Sequence, residues 1–94
     1  MPIQQTSRDA HDDIKPDART LRERVHAYII RQGGATDEEM QHALGMGANT
    51  QRPRRRELVQ RGLVRDSGKT RKTQAGREAI VWVSRNDDQQ ITLF

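Results

Sequence analysis

Ten of the 17 Lys and Arg residues fall between Ala48 and Glu78: Arg52, Arg54, Arg55, Arg56, Arg61, Arg65, Lys69, Arg71, Lys72 and Arg77. Only Glu57, Asp66 and Glu78 oppose them there, a net +7, whereas the rest of the chain has seven positive and ten negative charges, a net −3. The whole-chain value of +4 therefore understates the polarity. A field concentrated in this way attracts a polyanion, and the phosphate backbone of a nucleic acid is the simplest ligand for it. Arginine can also hold guanine through two acceptors, and Asn or Gln can do the same for adenine, so Asn49, Thr50 and Gln51 beside Arg52 add groups able to read base edges. The plainer alternative is a merely solvated basic surface.

Other chemistry is poorly provided for. His11, His26 and His42 are scattered without metal-ligand spacing, and there is no cysteine for a disulfide, thiolate site or thiol nucleophile. Ser7, Ser67 and Ser84 lack a nucleophile elbow or a paired histidine. Gly33-Gly34 and Gly45-Met46-Gly47 read as helix stops and match no phosphate loop, while Glu38 and Glu39 read as first-turn partners of a helix dipole. No enzyme activity, metal or cofactor is expected.

With 94 residues, 32% of them hydrophobic, and a mean hydropathy of −1.02, the chain has material for one small core. The longest apolar run, Ala79–Val83, is too short to span a bilayer, and residues 1–10 have no signal-peptide core, so the expected location is the cytoplasm, away from membranes.

These residues need elements to position them. Residues 1–16 are polar and locally acidic through Asp9, Asp12 and Asp13, the pattern of a flexible arm. That acidity is either solvated or folds back over the basic segment. From Asp17, a plausible cap, Leu21, Val25, Tyr28 and Ile29 recur at helical spacing until Gly33-Gly34, which predicts helix one. Thr36 to Glu39 fits a capping box and opens a second helix through Met40, Ala43 and Leu44. A third helix is expected from Asn49 or Thr50, with Pro53 favouring Thr50 as the cap, and it carries Leu58 and Val59 inward before ending at Gly62. Arg55 lies one turn before Leu58 on the same face; its expected role is to pack its stem and pair with an acidic neighbour rather than to read bases. The period then becomes two: Leu63–Ser67 reads as a strand, Gly68–Arg77 as a long cationic connection, and Ala79–Val83 as the returning strand. The competing reading is a fourth helix opening at Thr73; the β-branched and aromatic content of Ile80–Val83 favours strand.

Three helices, the second pair joined by a tight turn, then Gly62-Leu63-Val64 and the basic stretch Ser67–Arg77, resemble winged helix-turn-helix DNA-binding domains over about two thirds of the chain. The finer pattern, Gly62-Leu-Val, Asp66-Ser-Gly and Arg77 followed by Ala79-Ile-Val-Trp82, resembles small winged-helix proteins of bacteriophage and prophage genomes. The resemblance implies an α+β fold over residues 17–83, with the third helix in a duplex major groove. Asn49, Thr50, Gln51, Arg52 and Arg56 would then reach base edges and Arg54 a flanking phosphate. Lys69, Arg71, Lys72 and Arg77 of the wing would straddle the backbone or enter the minor groove, setting affinity and salt dependence more than specificity.

Residues 84–94 form a polar tail that finishes Gln90-Ile91-Thr92-Leu93-Phe94. This closely resembles the short peptide by which bacterial replication and repair proteins hold the DNA polymerase sliding clamp. In that role Leu93 and Phe94 would fill an apolar pocket, with Ile91 beside them and Gln90 hydrogen-bonded at the rim. Packing of Leu93 and Phe94 back onto the domain, or a coincidental match, are the other readings. Three functions follow: a DNA-binding replication accessory or adaptor that also holds the clamp, a transcriptional regulator with a defined operator, or a winged-helix adaptor that binds protein alone. No heptad array specifies an oligomeric state.

Overall fold

The computed structural model describes residues 16–85; residues 1–15 of the expected arm and residues 86–94 of the expected tail, with its Gln90–Phe94 peptide, lie outside the described residues, while Ser84, expected to open the tail, is buried at the end of the last strand. Three helices, α1 (Ala18–Gln32), α2 (Asp37–Leu44) and α3 (Ala48–Gln60), are followed by an antiparallel hairpin of β1 (Val64–Lys72) and β2 (Glu78–Ser84). This is the α+β arrangement of a winged helix-turn-helix, the hairpin being the wing.

Local chemistry accounts for most boundaries. Asp17 caps α1 by accepting from the Thr20 amide at 2.9 Å, and Gly33 ends it in the left-handed conformation at φ 73°. The capping box is complete at α2: the Glu39 amide donates to Thr36 Oγ1 at 3.2 Å, and the Thr36 amide donates to Glu39 Oε1 at 3.1 Å.

The start of α3 differs from expectation. Its cap is Gly47, with no side-chain hydrogen bond, so the helix begins three residues before Thr50 would have placed it. Two packing groups set this register: Met46 just before the helix and Gln51 in its first turns are both buried. Pro53 consequently lies inside the helix and offers no N–H to the Asn49 carbonyl, which the exposed position of Asn49 leaves to water.

A second difference is the wing. Gly68–Lys72 continues as strand, the ladder resuming at Thr70↔Ile80, Arg71↔Ala79 and Lys72↔Glu78 after a break beyond Asp66↔Trp82. The break is a bulge built from Asp66-Ser67-Gly68. Gly68 takes φ 85°, the Asp66 carboxylate accepts from its amide at 2.7 Å, and Ser67 Oγ accepts from the Lys69 amide at 3.1 Å. Only residues 73–77 turn, and no helix opens at Thr73.

Val25, Ile29, Ala35, Met40, Met46, Leu58 and Val64 form the core, with Leu21, Tyr28 and Trp82 packed against it. Ala35 exchanges both backbone hydrogen bonds with Trp82, adding a one-residue third strand on the far side of β2 from β1. A single bridging residue has no periodicity, so sequence gave no hint of it. None of the described helices is long and apolar enough to cross a membrane.

Candidate nucleic-acid interface

One turn of α3 advances 3.6 residues, so Asn49, Arg52, Arg56 and Gln60 fall on a single stripe, roughly 16 Å long. All four are exposed, and none makes a side-chain hydrogen bond or ion pair among the described residues. Three of them were expected to face a ligand. Gln60 was missed, although its place four residues after Arg56 was the signal that could have found it.

The opposite face of α3 corrects two expectations. Gln51 is fully buried and serves structure: it accepts from Gln41 Nε2 at 2.9 Å and donates to Asp37 Oδ1 at 2.9 Å, with the Met40 sulfur at 3.4 Å. An amide engaged in this way reads no base. Arg54 is turned inward as well, 19% exposed, donating to Glu57 Oε2 at 2.8 Å while Arg22 of α1 donates to Oε1 at 3.0 Å. Burial alone would raise the Glu57 carboxyl, but the hydrogen bonds from Arg22 and Arg54 outweigh it and hold the pKa low. Glu57 thereby ties α1 to α3, and Arg54 does not present itself to a flanking phosphate. Thr50 is half-buried beside the stripe, its amide bonded to the Gly47 carbonyl at 3.1 Å.

Arg55 pairs as expected. It donates through Nε to Asp37 Oδ1 at 3.0 Å and through Nη2 to Oδ2 at 2.7 Å, and its guanidinium stacks 4.2 Å from the Trp82 ring centroid. Burial pushes the Asp37 carboxyl up, yet the bonds from Arg55 and Gln51 win, and the group sits below its ordinary 3.8. One arginine thus locks α2, α3 and the wing together.

On the wing, Lys69 and Arg77 are exposed and form no ion pair among the described residues. Arg71 and Lys72 are engaged, Arg71 with Glu39 at 2.6 Å and Lys72 with Glu78 at 3.3 Å. Glu78 also accepts from the Thr70 hydroxyl, and these two donors hold its pKa low. Between the α3 stripe and the wing runs an open groove of about 530 Å³ lined by Asp37, Arg52, Arg55, Thr73, Ile80 and Trp82. Of the stripe, Arg52 lines this groove, and Glu38 of α2 and Glu78 of the wing line it too. The described residues contain no group of three His, Cys, Asp or Glu side chains that could hold a metal.

No family model matches the chain, and a search of curated proteins returns no match.

Proposed function

We propose that the chain is a duplex DNA-binding winged-helix protein that lays the Asn49, Arg52 and Arg56 stripe of α3 in the major groove, with the wing cations Lys69 and Arg77 on the flanking backbone. The observation that carries this reading is the sorting of the charges. Arg54 and Arg55 are spent inside the fold, while Arg52 and Arg56 on α3 and Lys69 and Arg77 on the wing stay exposed and form no ion pair among the described residues, with Arg52 at the edge of the groove between α3 and the wing.

A duplex suits the site better than a single strand. Single-strand binders stack bases on open aromatic rings. Here Arg55 covers Trp82, and Arg31 lies 5.6 Å from the Tyr28 centroid, so both aromatics among the described residues are already capped.

Gln90-Ile91-Thr92-Leu93-Phe94 supports a second function for the same molecule, holding a bacterial DNA polymerase sliding clamp. Together the two parts make a phage or prophage replication accessory or adaptor, acting on DNA in the host cytoplasm. Two measurements test the halves separately. Arg52→Ala with Arg56→Ala should abolish most duplex affinity and flatten its salt dependence; unchanged binding rules out α3 as the contact. Binding of the intact protein to purified clamp should vanish with Leu93→Ala and Phe94→Ala. If the intact protein ignores the clamp but selects a defined operator from random DNA, it is a transcriptional regulator.

A further inference from the structure

The first turn of α2 is acidic, Asp37-Glu38-Glu39, and the cationic wing is fastened to it at two points. Arg71 Nη1 donates to both oxygens of Glu39 at 2.6 Å each. At the wing turn, the backbone amide of Gln74 donates to Glu38 Oε1 at 3.2 Å. Asp37 takes no part, since Arg55 and Gln51 fill it. A guanidinium and a backbone amide are the donors that protein surfaces offer to DNA phosphates, and in the free protein these two are occupied by carboxylates of the same chain. The hold is light: the Arg71 and Glu39 side chains are 50% and 34% exposed, and ion pairs so open to water are weak and screened by salt.

We propose that the acidic first turn of α2 is an internal phosphate mimic, which latches the wing in the free protein and is displaced from Arg71 and Gln74 when a duplex backbone arrives. This rests on the nucleic-acid reading above and adds its regulation. Each binding event exchanges a carboxylate for a phosphate at Arg71, so the wing contributes less net affinity than its charge count suggests. Weak, purely electrostatic encounters are suppressed by the latch, and a duplex that also satisfies the α3 stripe is favoured over one that does not.

The test uses the full-length protein and a mixed-sequence duplex of about 20 base pairs, with affinity followed from about 50 to 200 mM salt. Glu39→Gln removes the charge yet keeps the capping box, because Gln serves at that position as Glu does. It should raise affinity roughly 3- to 10-fold and steepen the slope of log affinity against log salt by about 0.9, because no freed Glu39 carboxylate then takes up a cation to offset the one released at the phosphate that Arg71 contacts. Adding Arg71→Ala to that variant should return the slope to the wild-type value. Glu38→Gln, which loosens the other hold without touching the capping box, should raise affinity in the same direction. An unchanged slope in Glu39→Gln, or a gain that survives Arg71→Ala, would overturn the latch, since either would reflect only the loss of a nearby negative charge. If wild type and variants alike fail to bind duplex at any salt, the nucleic-acid reading fails, and the latch with it.

Discussion

Arg55 and Arg56 are neighbours of identical chemistry on one helix, and the fold gives them opposite work. Arg55 is held by two hydrogen bonds to Asp37 and by the Trp82 face, while Arg56 stands in solvent with no ion pair among the described residues. The contrast extends along α3. Gln51, Arg54, Arg55 and Leu58 form an inner face that joins three elements, and Asn49, Arg52, Arg56 and Gln60 form an outer face that makes no side-chain hydrogen bond or ion pair among the described residues. A hundred degrees of helical rotation per residue thus separates scaffold from candidate ligand contact, and charge alone says little about which is which.

The largest effect should follow from breaking the inner face. Arg55→Ala leaves Asp37 mostly buried and without its paired guanidinium, keeping only the Gln51 hydrogen bond and the more distant charge of Arg52, which should cost about 2 to 3 kcal/mol and lower the thermal midpoint by roughly 10 °C or more. Trp82 is the only tryptophan, so its fluorescence should change with the loss of the stack. Asp37 also sets an acid limb. Its pKa is depressed in the fold, so its stabilisation is full above the ordinary 3.8 and is lost as pH falls below that value. In Arg55→Ala that loss should shrink, because much of the depression comes from Arg55.

Breaking the outer face should reverse the pattern. Arg52→Ala or Arg56→Ala should leave the melting temperature within about 0.5 kcal/mol of equivalent stability. Each should weaken duplex binding by about 1 to 3 kcal/mol and relax preference at one base position. Melting curves and titrations of the same variants decide the matter. If Arg56→Ala melts as early as Arg55→Ala, the division of α3 into two faces is wrong.

Some of this division was readable before any coordinates. The capping box at Thr36, the stops at Gly33 and Gly62, and the inward pairing of Arg55 follow from local rules and from a spacing of three residues to Leu58. Gln51 and the start of α3 were not readable. Both depend on burying Met46 and on a partner, Asp37, that lies 14 residues from Gln51, and nothing local announces such a contact. The wing was half readable. The strands were found but cut short, because Asp66-Ser67-Gly68 looks like a turn when it is a bulge whose side chains satisfy the backbone and let pairing resume. Likewise the pairing of Arg71 with Glu39 spans 32 residues, so sequence offered Arg71 as an available cation.

The wing should give a smaller and different signature from the stripe. Lys69→Ala and Arg77→Ala should each weaken binding evenly across sequences and reduce the salt slope by about 1, without altering base preference. A sequence-dependent loss would move those residues from backbone contact to base reading.

The smallest effect concerns stability on the side of the domain where α1 meets α3. His26 Nε2 is buried without a hydrogen-bond partner, and burial holds its pKa below the ordinary 6.5. The unfolded chain therefore binds a proton that the folded chain resists. Stability from this group is fully present above 6.5 and declines as pH falls through the folded value. Arg19, Arg22, Arg61 and Glu23 line the same cavity as His26, so charges of both signs face the ring and burial alone accounts for the depressed pKa. Melting temperature followed from roughly pH 8 to pH 5 should fall gently on the acid side. His26→Leu, which cannot take the proton, should flatten that decline while leaving duplex affinity at pH 8 unchanged, because α1 carries none of the stripe or the wing. A decline that persists in the variant would assign the acid sensitivity to another group and leave the buried imidazole without a part in it.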